Sequence, residues 1–135
     1  MRLEINNTTK QRVDKKLLQK AVDVFGKKMR FSKKLVSVAI IGEKRMKKLN
    51  STYRKIDKVT DVLSFRDSEK DFLGEVIVCY PQIKKQAKQQ GIPVKDELVF
   101  IFIHGLLHLA GYDDRKQKEH DEMIQIGEKL CKSMV

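Results

Sequence analysis

The stretch VKDELVFIFIHGLLHLAGYDD, residues 94–114, decides how the rest of the chain is read. Its apolar residues are not confined to one stripe: Leu98, Val99, Phe100, Ile101, Phe102, Ile103, Leu106, Leu107 and Leu109 surround the axis of a helix predicted over Val94–Leu109. A helix that is hydrophobic all round belongs inside a core. His104 and His108 stand four residues apart on it, so they project from one face one turn apart, close enough for two imidazoles to reach one metal ion. Gly111 permits a left-handed helix end that turns the chain back, and Asp114 follows at a distance that lets it approach the same ion. Asp114 has a second reading as the N-cap of the last helix, with Gln117 three residues later completing a capping-box-like pattern. His120 is a rival third ligand, although its Lys, Glu and Asp neighbours favour a solvent-facing position; Asp113 is a third candidate. Two histidines and one carboxylate leave positions open for water or substrate, which suits a catalytic metal better than a structural one closed by four ligands. The pattern is zincin-like, HxxxHxxGxxD, but Gly105 stands where zinc proteases carry their general-base Glu, so peptide hydrolysis of that type is disfavoured.

Working outward, Leu3 and Ile5 alternate with polar residues as a short strand, and Val13, Leu17, Ala21, Val22 and Phe25 recur at helical spacing before Gly26–Arg30. Leu35–Ile41 reads as a Val/Ile-rich strand stopped by Gly42, followed by a short basic helix over Glu43–Ser51. Two further strands, Asp61–Phe65 and Phe72–Cys79, are joined by the polar loop 66–71 as a hairpin. Pro81 opens the next helix and Gly91-Ile92-Pro93 ends it; the last helix spans Arg115–Ser133. The expected architecture is α+β: a mixed, mainly antiparallel four-stranded sheet with helices packed on it, the metal site lying on the buried helix. All 135 residues are expected to form one domain, since no linker, repeat or low-complexity tract interrupts them.

Charge is unevenly distributed. The net charge is +11, yet residues 1–58 carry +13 and residues 59–135 carry −2. A basic half of this density attracts polyanions, and Lys/Arg contacts to phosphate supply most non-specific nucleic-acid affinity. RNA is therefore favoured over protein as substrate. No segment has the roughly 20 apolar residues of a bilayer span or the pattern of a signal peptide, so a cytoplasmic protein without a membrane partner is expected. Cys79 and Cys131 sit in apolar patterns and read as buried thiols rather than a disulfide.

The run His104-Gly105-Leu106-Leu107-His108-Leu109-Ala110-Gly111-Tyr112-Asp113 closely resembles the signature HGxLHLxGYDH of the YbeY family of bacterial endoribonucleases. Asn50, Tyr53, Arg54, Asp57, Lys58 and Thr60–Phe65 are similar to that family's segment before and through its third strand, and Leu73–Ile77 resembles its fourth. The resemblance implies a single-strand-specific, metal-dependent endoribonuclease acting in maturation of the small-subunit ribosomal RNA 3′ end and in ribosome quality control, with ribosomal RNA and the small subunit as partners. It also implies one zinc held by three histidines. Here His104 and His108 are two of the three and Asp114 stands in place of the third, a set that also suits nickel, iron or manganese. Arg54 is the candidate catalytic residue, binding the scissile phosphate and meeting the charge of the transition state. Lys47, Lys48 and Lys58 are candidate RNA contacts, and Ser64 and Asp61 would position substrate at most. The family's usual Gly and Pro near Arg54 are replaced by Lys55 and Val59. From other classes, the alternatives are a ribosome-associated RNA-binding protein with a structural or vestigial metal, and a zinc peptidase.

Overall fold

The computed structural model describes residues 1–67 and 69–134. Elements follow in the order β1 (Arg2–Asn7), α1 (Lys15–Met29), β2 (Leu35–Ile41), α2 (Glu43–Arg54), β3 (Val62–Arg66), β4 (Phe72–Cys79), α3 (Tyr80–Gln90), α4 (Val94–Leu109) and α5 (Gln117–Lys132). The expected class holds: α+β, with one four-stranded mixed sheet. The bounds read from sequence for β2, β4 and α4 coincide with the observed ones, whereas α2 runs one turn further, to Arg54. Ser68, inside the loop read as the hairpin connection, lies outside the described residues.

The expectation of a mainly antiparallel sheet is corrected. Strand order is β1-β2-β4-β3; β1 and β2 are parallel, β2 and β4 are parallel, and only the β3–β4 hairpin is antiparallel. The hairpin announces itself locally through a short polar connection. Parallel pairing needs a long crossover, here α1 between β1 and β2 and α2 with β3 between β2 and β4, and a crossover leaves no turn signature. The composition of β2, Leu-Val-Ser-Val-Ala-Ile-Ile, carries the missed signal, because a near-continuous apolar run marks a strand covered on both faces. Val36, Val38 and Ile40 point to the core built with α1, α4 and α5, while Ala39 and Ile41 point to the opposite face and pack with Met46 of α2.

Helix α4 is the pivot of the larger core, with Phe102, Ile103, Leu106 and Leu107 fully buried. It approaches β3 and β4 so closely that one position admits no side chain. A Cβ on Gly105 would lie 2.7 Å from Val76 Cγ1 and 3.1 Å from both Ser64 Oγ and Val62 Cγ2. Ser64 Oγ donates a hydrogen bond to the Gly105 carbonyl at 2.9 Å, tying strand to helix at that point. Gly74, at φ 142°, is the matching gap in β4, since a Cβ there would collide with the Phe65 carbonyl oxygen and lie 2.9 Å from Leu109 Cδ2. Gly105→Ala is expected to destabilise the protein by about 1–3 kcal/mol through overpacking, as read by urea unfolding. Combined with Val76→Ala, the cost should be less than the sum of the two single changes, because the atom it strikes is gone. Strict additivity would show that helix and sheet do not compete for that space.

Candidate metal centre

His104 and His108 leave the final turns of α4 on the side facing a cleft of about 660 Å³. Asp114 meets them from the loop beyond. Gly111 takes φ 107°, a conformation that glycine adopts without strain, and it reverses the chain over the helix end. Asp114 Oδ2 then lies 3.6 Å from His104 Nε2 and 3.5 Å from His108 Nε2. One ligand atom from each of the three residues falls within 4.8 Å of the others. Two donors bonded at about 2.0–2.2 Å to one tetrahedral ion stand roughly 3.4 Å apart, so the spacing fits a divalent ion.

The surroundings prepare these atoms. His108 Nδ1 lies 3.2 Å from the Tyr112 carbonyl, which can only accept, so Nδ1 donates there and Nε2 is the ring nitrogen left facing Asp114. Burial holds the pKa of His104 below the ordinary imidazole range and His108 pushes it the same way, against the opposing pull of Asp114 and Asp61. His104 is thus a neutral donor near pH 7. His108 sits in the last turn of α4, where the negative end of the helix dipole favours a cation. Arg66 also serves that end, its Nε donating to the His108 carbonyl at 3.2 Å.

The cap reading of Asp114 does not match the geometry. Helix α5 begins at Gln117, its N-cap is Lys116, and no side chain caps it. Asp113 instead supports the turn: its Oδ1 accepts from the backbone N–H of Asp114 at 2.7 Å and of Arg115 at 3.2 Å. His120, expected to face solvent, lines the cleft with Nδ1 3.9 Å from Asp114 Oδ2. A helical face of mixed charge gave no sign that α5 would lay its first turn over α4.

Arg54, at the last residue of α2, lines the same cleft. Lys47 and Lys48 do not. With Lys44 they border a separate shallow groove on α2, where Lys47 Nζ is 4.0 Å from an Asp57 carboxylate oxygen. Lys58 is exposed in the loop after α2, and its carbonyl accepts from buried Asn50 at 2.9 Å. Lys55, where the resemblance expects glycine, takes the left-handed φ of 58° that glycine favours, so the helix end keeps that shape at the cost of some strain. Several groups escaped the sequence reading. Glu97 is buried and accepts hydrogen bonds from Gln86 at 3.2 Å and Gln90 at 2.8 Å; Gln86 also donates to Asp61 at 3.2 Å, holding that carboxylate on the cleft wall. Tyr53, Phe65, Phe100 and Ile124 contribute, with Val62, Leu63 and Ile101, to the apolar part of the lining. Their spacing in sequence is that of ordinary core residues.

Comparison with known proteins agrees with this arrangement. The family model described as endoribonuclease YbeY matches residues 3–135. A curated endoribonuclease YbeY from Persephonella marina is 33% identical over 129 residues, covering 90% of this chain and 84% of its own. One from Phytoplasma australiense is 30% identical over 141 residues, covering 99% and 96%. A solution structure of a protein from Thermotoga maritima superposes with a TM-score of 0.69 at 30% identity, covering 98% of this chain and 88% of that one. With the family matched along almost its whole length and the histidine pair set on the buried helix, this chain belongs to the YbeY family of endoribonucleases.

Proposed function

We propose that this protein is a single-domain, cytoplasmic, metal-dependent endoribonuclease that cuts single-stranded RNA during ribosomal RNA maturation at the small-subunit 3′ end and in ribosome quality control. The observation that carries the reading is that one cleft is lined both by the His104–His108–Asp114 set and by Arg54. The relatives' name, endoribonuclease YbeY, and the +13 charge of residues 1–58 support RNA as the substrate. His104 Nε2, His108 Nε2 and an Asp114 oxygen would hold the ion, with zinc the family expectation and nickel, iron or manganese suited to the same donors. A divalent ion there supplies Lewis acidity for phosphodiester cleavage. Arg54 offers a planar fork to the scissile phosphate and meets the added negative charge of the transition state. Lys47, Lys48 and Lys58 hold flanking phosphates. Gly105 faces Val76 and Ser64 of the sheet, so the residue after the first histidine cannot supply the general base of a zinc peptidase.

Purified protein is expected to carry about one transition-metal ion per chain, and His108→Ala to lose both metal and cleavage of single-stranded RNA. A metal-free preparation with full activity would sink the mechanism, while bound metal without turnover would favour an RNA-binding protein with a structural ion.

Asp114→Asn separates ligand from fold. Metal affinity should fall by about 100-fold or more while urea unfolding of the metal-free protein is unchanged, and Asp114→His should restore binding. Unaltered metal content in Asp114→Asn would refute the ligand role.

For Arg54, the expected signature is a loss in turnover at saturating RNA of about 10²-fold in Arg54→Ala, with metal content and RNA affinity little changed and lysine a poor substitute. Removing Lys47 and Lys48 should do the reverse, weakening binding and flattening its salt dependence with saturated turnover intact. If Arg54→Ala affects binding alone, Arg54 is one more steering charge.

A further inference from the structure

Tyr53 is 64% exposed, well beyond the other exposed large hydrophobic residues among those described, of which Ile56 is next at 40%. Such a residue usually finds cover. Tyr53 is on the last turn of α2, immediately before Arg54, and both line the cleft that holds the donor set. Its ring is held in place: Phe65 of β3 meets it edge-to-face, with centroids 5.1 Å apart and planes at 67°. Phe65 braces part of the ring, and the residue, among those that line the cleft, stays largely exposed. Part of the entropy that ordering an aromatic platform would cost on binding is therefore already spent.

An open, braced aromatic ring beside a phosphate-binding guanidinium matches the chemistry of a single nucleotide: anionic phosphate on one side, flat apolar base on the other. Resting on the endoribonuclease reading above, we propose that Tyr53 is the stacking platform for an unpaired base next to the phosphate held by Arg54, and that it makes the cleft prefer single strands. In a duplex each base face is covered by its neighbours, so a protein ring can stack only on a base that is unpaired and splayed out. The basic groove of α2 bordered by Lys44, Lys47 and Lys48 adds charge complementary to the same strand. Tyr53 and Arg54 thereby divide the work, the guanidinium holding backbone and the phenol ring testing strandedness.

The chain contains no tryptophan, so Tyr53→Trp places a single indole at the platform. Binding is measured with chelator present, so that it does not depend on cleavage. The probes are a uridine oligomer, an abasic oligomer of the same length and a uridine–adenine duplex. Indole fluorescence should be quenched by the uridine oligomer and not by the abasic oligomer or the duplex. Tyr53→Ala should weaken binding of the uridine oligomer by about 10-fold or more while changing abasic-oligomer affinity by less than about twofold, and Tyr53→Phe should bind as the parent does. Equal quenching by the abasic oligomer, or equal losses on both oligomers, would overturn the proposal and leave Tyr53 a shaper of the cleft. If Tyr53→Ala fails to fold, the indole variant still decides. Failure of the nuclease reading would look different: no RNA cleavage by the metal-loaded parent protein, whatever the stacking signals.

Discussion

Everything at the candidate centre depends on how closely α4 lies against β3 and β4. At Gly105 the helix backbone, with no side chain of its own, rests directly on the side chains of Val76, Ser64 and Val62 of the sheet, and the Ser64 hydroxyl bonds the Gly105 carbonyl at 2.9 Å. Because helical positions are fixed relative to one another, seating Gly105 on the sheet determines where its neighbours point. His104 and His108 are thereby turned away from the sheet contact and toward the cleft. Donors carried on a packed helix hold their positions better than donors on loops, and a pair preset one turn apart needs little reorganisation to accept an ion.

The third member of the candidate set is positioned differently. Asp114 sits beyond the helix on a reversing turn whose every part has a partner. Gly111 supplies the left-handed backbone, the Asp113 carboxylate takes the next two N–H groups, Arg66 ties off the His108 carbonyl, and the Tyr112 carbonyl orients the His108 ring. The site is one rigid pair plus one loop carboxylate. A carboxylate in this position brings negative charge that an imidazole would not, which strengthens attraction for a hard divalent cation and broadens the range of metals the set suits. His120 of α5, 3.9 Å from the same carboxylate oxygen, adds a third imidazole to the cleft wall without joining the close group.

Charge and hydrophobicity are apportioned between the two sides of the cleft. The basic N-terminal half contributes α2, whose end carries Tyr53 and Arg54; the C-terminal half, with its slight acidic excess, contributes the donor set. The lysine groove of α2 lies outside the cleft rather than within it. Burial of Glu97 beneath Gln86 and Gln90 shows a further layer, in which a carboxylate deep in the fold anchors the amide that holds Asp61 on the cleft wall.

By itself the sequence determined whatever depends on local periodicity and residue chemistry. The all-round apolar character of residues 94–109 called for a buried helix, the four-residue spacing of His104 and His108 put them on one face, and the motif with its flanking segments disclosed the family. The hairpin of β3 and β4 was legible for the same reason, since a short polar connection between two strand-like runs is a local signal. Only the tertiary structure decided the rest. Parallel pairing of β1, β2 and β4 is made by crossovers that carry no turn signature, so the sheet's direction could not be read from its strands one at a time. Whether Asp114 capped a helix or faced the histidines depended on α5 starting at Gln117, a boundary set by how that helix docks on α4. The cleft itself, with Tyr53 exposed at its mouth and His120 turned inward, joins residues more than sixty positions apart, and contacts of that range leave no periodic trace in the sequence.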